Sequence, residues 1–201
     1  FVPVGLNYDR VLEDRVLLAS AATAPGEKPR FTFKVGTFLG FAGRTIFGRL
    51  VGSWYRNGYA CVSFGRPVSL RRYVSERALD FRTMTEDSRA RAIADLAAGL
   101  MAEVGRAIPA LPVSLVASAI LAAGERRLTT LDVKHAVAAL VIARREQGLQ
   151  VYLPRADEDY AVEVGLRMLV LRRIVETGPD GLIAIVTGQH DLLAYYAAAI
   201  A

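Results

Sequence analysis

The stretch "AIPALPVSLVASAILAAG", residues 107–124, carries no charge and constrains the fold of this chain more than any other. Its length lies near the lower limit of a membrane span, about 17–25 residues. Pro109 and Pro112 break its first third, because a proline interrupts the helical hydrogen-bond ladder. Roughly a dozen helical residues remain, too few to cross a bilayer and too apolar to lie on a surface. The stretch therefore predicts a core helix covered on every side, and no transmembrane helix is expected. With 53% hydrophobic residues in 201, there is material to wrap it.

The wrapping elements are readable nearby. After about residue 85 the composition shifts to Ala, Leu and Arg. Ile93, Leu96, Leu100 and Val104 mark one face of an amphipathic helix in "TEDSRARAIADLAAGLMAEVGRAI". A second helix covers residues 113–123. "TTLDVKHAVAALVIARREQG" predicts a third, capped by Thr129 or Thr130 and stopped by Gly148. "YAVEVGLRMLVLRRIVE", residues 160–176, reads as a fourth. "TGPDGLIAIVTG" reads as a short strand, Leu182 to Val186, between two turns, and "HDLLAYYAAAIA" begins a last helix.

The first 80 residues have a different character. Val2, Val4 and Leu6 alternate with Pro3, Gly5 and Asn7, nearly all apolar or small, as in a parallel-sheet strand covered on both faces. Pro3 has no N–H for a ladder and belongs at the start of the strand, an edge or a bulge. "NYDRVLEDRVLLAS" follows as a short helix or turn. Residues 31–58 place Phe and Leu near helical spacing, with Arg44, Arg49 and Arg56 among them, but six glycines weaken a regular helix. "GYACVSFGRPVSL", residues 58–70, predicts a strand, and Ser69 caps a helix after it. The fold class is α/β: an incomplete sheet in residues 1–80, then a mostly helical region in residues 85–201.

The chemistry visible in the chain is sparse. One cysteine, Cys61, excludes a disulfide framework and a Cys-based zinc site, and fits a reducing, cytoplasm-facing compartment. No secretory signal pattern opens the sequence. The net charge of +5 rests on Arg pairs at 71/72, 126/127, 144/145 and 172/173. It points to an anionic partner (nucleic acid, a bilayer surface or a phosphorylated substrate) or to an ordinary solvated surface. The glycines at 36, 40, 43, 48 and 52 match no phosphate-binding loop. Asp157, Glu158 and Asp159 are too close together for a metal site and read as a solvated turn or a helix start. His135 and His190 read as structural or exposed. The tail order of helix, helix and short strand admits a winged-helix module, but the 131–145 helix is Ala-, Val- and Leu-rich around its circumference. It lacks the polar face that reads base edges, so no nucleic acid is expected.

Three stretches, in order, resemble one family. Val2, Pro3, Val4, Tyr8, Asp9, Val11, Leu12 and Glu13 resemble the fourth conserved block of the glycerol-3-phosphate and dihydroxyacetone-phosphate acyltransferases. "GYACVSFGRPVSLRRYV" is similar to the strand that follows it there, and "HDLLAYYAAAIA" to the family's late Tyr-Tyr helix. "ALPVSLVASAILAAGERRLTTLDV" is similar to a helical region of bacterial members.

This resemblance implies the C-terminal portion of an enzyme that transfers an acyl group from acyl-CoA or acyl-carrier protein to glycerol 3-phosphate, without a cofactor, in phospholipid synthesis. In the family the general base is the histidine of an HxxxxD block, which precedes "FVPV". Here His135 is followed five residues on by Leu140 and His190 by Tyr195, so the motif is absent and no catalytic residue is expected in this chain. Pro3, Val4 and Tyr8 match the block that lines the substrate or acyl site. Arg44, Arg49 and Arg56 become candidates for contact with an anionic membrane, placing the enzyme peripherally on the cytoplasmic face of the cell membrane. The competing expectations are a dihydroxyacetone-phosphate acyltransferase and a non-enzymatic helical module that docks to a membrane or partner.

Overall fold

The computed structural model describes residues 1–21 and 58–200. Among them it shows a mixed α/β fold of seven helices and two small two-stranded sheets, with a mostly helical C-terminal part. The uncharged stretch sits at its centre. Helix α4, Pro112–Ala122, begins at the second of the two prolines, where a fixed φ and a missing N–H do no harm. Val113, Leu115, Val116, Ala117, Ala119 and Ile120 are all buried. Each large aliphatic side chain removed from water in this way contributes about 1.5–3 kcal/mol.

Three helices and a hairpin enclose α4. Helix α5, Thr130–Glu146, turns a single stripe inward, Val133, Val137 and Val141, which repeats every four residues. Its cap is Thr129, in a reciprocal capping box with Asp132, and Gly148 follows the end with φ +70°. Helix α6, Glu158–Leu171, is capped by Asp157, so the acidic run is a helix start. Gly165 lies against α4 so closely that a Cβ there would meet the Pro112 carbonyl oxygen at 2.5 Å. Helix α7, His190–Ala198, buries Leu192, Leu193, Tyr196 and Ala197.

The hairpin corrects one expectation. The helix expected over 160–176 stops at Leu171, and Arg173 turns the chain with φ +54°. A strand missed by the sequence reading, β3 (Val175–Thr177), then pairs antiparallel with β4 (Ile183–Ile185), which falls within the expected strand at 182–186. Between Val170 and Val175 only Arg172 and Arg173 interrupt the apolar run, and no Gly or Pro marks the change. Its last members, Ile174 and Val175, are β-branched and buried, which suits a strand as well as a helix. Leu128 adds a bridge to Ile183, fixing the hairpin beside the start of α5.

The N-terminal part is a second correction. Strand β1, Val4–Tyr8, is antiparallel to β2, Ala60–Phe64, with Val4 opposite Phe64 and Tyr8 opposite Ala60. Among the described residues it is covered on one face only. Gly5 and Asn7 are buried against the end of the long helix α3 (Glu86–Ala107), while Val4, Leu6 and Tyr8 point outward. Helix α1, Asp14–Ala21, lies beside α7. Helix α2, Leu70–Glu76, has the expected Ser69 cap and sends the buried Tyr73 hydroxyl to the Ala92 carbonyl of α3. On α3, Leu96, Leu100 and Val104 of the expected stripe are half-buried and Ile93 is exposed. No described helix is long and apolar enough to cross a membrane.

Candidate functional site

The alternation along β1 separates the block "FVPVGLNYDRVLED" into two faces with different work. The outward face carries Val2, Val4, Leu6 and Tyr8, joined across the ladder by Val62 and Phe64. All are large and substantially exposed, Phe64 most of all at 69%. An apolar sheet face open to water is unusual in a folded domain and marks a binding or packing surface. Of the three substrate-site candidates, Val4 and Tyr8 lie on this face. Pro3 lies on the other, buried against Gly65, and its carbonyl accepts the Gly65 N–H.

The inward face is polar, and it grips the junction between α3 and α4. Gly5 rests on the Ala107 carbonyl with no room for a Cβ, which would lie 2.1 Å from that oxygen. Ser63, across the ladder, donates its hydroxyl to the same carbonyl. Asn7 Nδ2 donates to the Pro109 carbonyl at 2.9 Å. Asp9 is 1% exposed. Its carboxylate accepts the Tyr59 N–H and the Val113 N–H, both at 2.9 Å. Leu111 at the N-cap of α4 offers no side-chain bond, so Asp9 caps the helix from the far end of the chain. Burial outweighs these two bonds and pushes the Asp9 carboxyl up from 3.8 to about 6.

Beyond Asp9 a second buried polar cluster holds the start of α1. Asp14 Oδ2 accepts the Tyr196 hydroxyl at 2.5 Å and pairs with the Arg172 guanidinium at 2.5 Å. Arg172 also donates to the Tyr196 hydroxyl and lies over its ring, 5.3 Å from the centroid. The Val11 N–H donates to that hydroxyl at 3.3 Å. Burial, with the Asp14 carboxylate accepting the proton, pushes the Tyr196 phenol up to about 12. Asp14, Arg172 and Tyr196 were not singled out in the sequence as site residues. The Tyr-Tyr pair of the last helix was the one trace of them, since nothing in "LEDR" separates a buried Asp14 from an exposed Glu13.

The remaining candidates are scattered. His190 Nδ1 lies 4.0 Å from its neighbour Asp191 in full view of solvent, and His135 sits on the exposed side of α5. No three His, Cys, Asp or Glu side chains gather as a metal site among the described residues. Arg44, Arg49 and Arg56 lie outside the described residues.

Residues 49–200 fit the family model described as the glycerol-3-phosphate acyltransferase C-terminal region, from just before β2 to the end of α7. No curated protein matches the chain.

Proposed function

The chain belongs to the glycerol-3-phosphate acyltransferase C-terminal region family, and from that premise we propose that it is the C-terminal part of an enzyme making 1-acylglycerol 3-phosphate. The carrying observation is the family match over residues 49–200, with the fourth-block resemblance of residues 2–13 upstream of it. In this reading the sn-1 hydroxyl of glycerol 3-phosphate attacks the thioester of acyl-CoA or acyl-carrier protein, the carbonyl–sulfur bond breaks, and the thiol leaves. The histidine that takes the hydroxyl proton lies in an upstream HxxxxD block, outside this chain. No residue here performs chemistry. Val4 and Tyr8 contribute an apolar wall to the substrate or acyl site, and Pro3 sets the start of the strand from behind.

The open face of β1–β2 supports this placement, because a substrate or the upstream core would cover an apolar surface that otherwise meets water. Its alternative, a non-enzymatic docking module, accounts for the face but not for the family match. Dihydroxyacetone phosphate is the alternative acceptor. The bilayer side is assigned to residues 31–56, with the enzyme peripheral on the cytoplasmic face of the membrane. Arg44, Arg49 and Arg56 bind anionic headgroups while the intervening Phe and Leu enter the interface.

Full-length enzyme, incubated with glycerol 3-phosphate and a long-chain acyl-CoA, is expected to release free thiol in step with 1-acyl product. Substituting the HxxxxD histidine should abolish both. A coding sequence with no HxxxxD within about 300 residues upstream, on the scale of a further domain or two, overturns the reading. For the membrane role, the triple change of Arg44, Arg49 and Arg56 to Glu should remove the enzyme from floating anionic liposomes, and wild-type flotation would sink it.

A further inference from the structure

We propose that Asp14, Arg172 and Tyr196 form a positioning clasp through which helix α7 sets the outward face of β1. This rests on the acyltransferase reading and adds a control over its substrate wall that the reading does not contain. The clasp joins three elements far apart in sequence: the first residue of α1, the residue that ends α6, and the middle of α7. Its valences close on themselves. A phenolic hydroxyl has one proton and two lone pairs. Tyr196 gives the proton to Asp14 and receives from Arg172 and from the Val11 N–H. Arg172 donates to both other members, and Asp14 is almost wholly buried.

An apolar contact between α1 and α7 of equal area would hold the two helices together and let them slide. A buried, fully paired ionic cluster contributes little net stability, but it accepts one register only. The Val11 bond makes this consequential, since it fixes a backbone atom three residues beyond Tyr8. Asp9 fixes the backbone one residue beyond Tyr8, through Tyr59 and Val113. Tyr8 therefore stands at the end of a segment pinned at two successive points, one on α4 and one on α7. Removing the second pin leaves the core of α4, α5 and α6 intact and loosens residues 10–14, and with them the wall.

The test uses the full-length enzyme with Tyr196→Phe and, separately, Arg172→Lys, both of which keep the apolar bulk of the site. Wild-type acyl transfer is measured first. If the unmutated protein transfers no acyl group, the acyltransferase reading has failed, and that failure is visible before any variant is made. Given wild-type activity, the clasp predicts a rise of about fivefold or more in KM for glycerol 3-phosphate or acyl donor, per active enzyme, in both variants, on the scale of one lost buried hydrogen bond. It also predicts faster amide exchange in residues 4–14 with unchanged protection in α4 and α5. A loss of active protein with unchanged KM assigns these residues to stability alone and overturns the proposal. Unchanged exchange in residues 4–14 overturns it as well, whatever the kinetics show.

Discussion

Asp9 couples three segments through one carboxylate, and its protonation has a calculable sign. Its folded pKa, about 6, stands above the ordinary 3.8, so the folded state holds the proton more tightly than the unfolded chain does. Between those values stability falls as pH rises, by up to about 1.4 kcal/mol per pH unit. Urea midpoints measured from pH 7 down to pH 5 should therefore improve for the wild type relative to Asp9→Asn. The variant should also be weaker throughout by about 1–3 kcal/mol, because an amide cannot accept both the Tyr59 and Val113 N–H groups. A flat difference across that range would show that the carboxyl titrates normally. Gly58 is part of the same device. It sits at φ +79°, and a Cβ would lie 2.4 Å from that of Asp9. Gly58→Ala should lower the unfolding free energy, measured by urea denaturation, by more than the roughly 1–2 kcal/mol of a left-handed alanine alone.

At the scale of elements, two glycines in helices should respond oppositely to alanine. Gly165 packs onto the backbone of α4, so Gly165→Ala should cost about 1–3 kcal/mol through overpacking. Gly99 in α3 faces open space, and Gly99→Ala should add about 0.5–1 kcal/mol by restricting the unfolded chain. Thr129→Ala should cost about 1 kcal/mol by opening the capping box of α5. Equilibrium denaturation of the three variants checks all of these. The elements in question were mostly legible in the sequence, because their signals are local. Proline placed the start of α4, Thr129 that of α5, Ser69 that of α2. What could not be read was decided at a distance. Only an Arg pair, with no Gly or Pro, separates the β3 strand from the apolar end of α6, and β1 shows a pattern of small and apolar residues that fits burial on both faces. Only its pairing with β2 and its docking on Ala107 decide which side meets water. Likewise Tyr8 was legible as a candidate, whereas the clasp depends on Asp14 meeting Tyr196 across 182 positions.

For the molecule as a whole, the outward sheet face is the feature that distinguishes this chain alone from the longer enzyme proposed for it. Leu6→Lys with Val62→Glu puts an opposite-charge pair at two exposed positions that face each other across the ladder, so the fold of this chain should move by no more than about 0.5 kcal/mol per site. Its binding of an apolar dye and its self-association should fall. If the proposed longer enzyme covers this face, the same pair should depress its activity or folded yield. Equal behaviour in both contexts would mean that nothing packs on it. Helix α4 carries a further consequence, one of time rather than of energy. It is the most enclosed helix described, yet the carboxylate that caps it lies 104 positions earlier, on a strand that must first meet β2. Contacts of such separation form late, after costly loop closure. The helix should thus assemble on its apolar contacts and receive its cap near the end of folding. Asp9→Asn would then speed unfolding while leaving the folding rate almost untouched, and the unfolding limb of a chevron plot would carry nearly all of its effect.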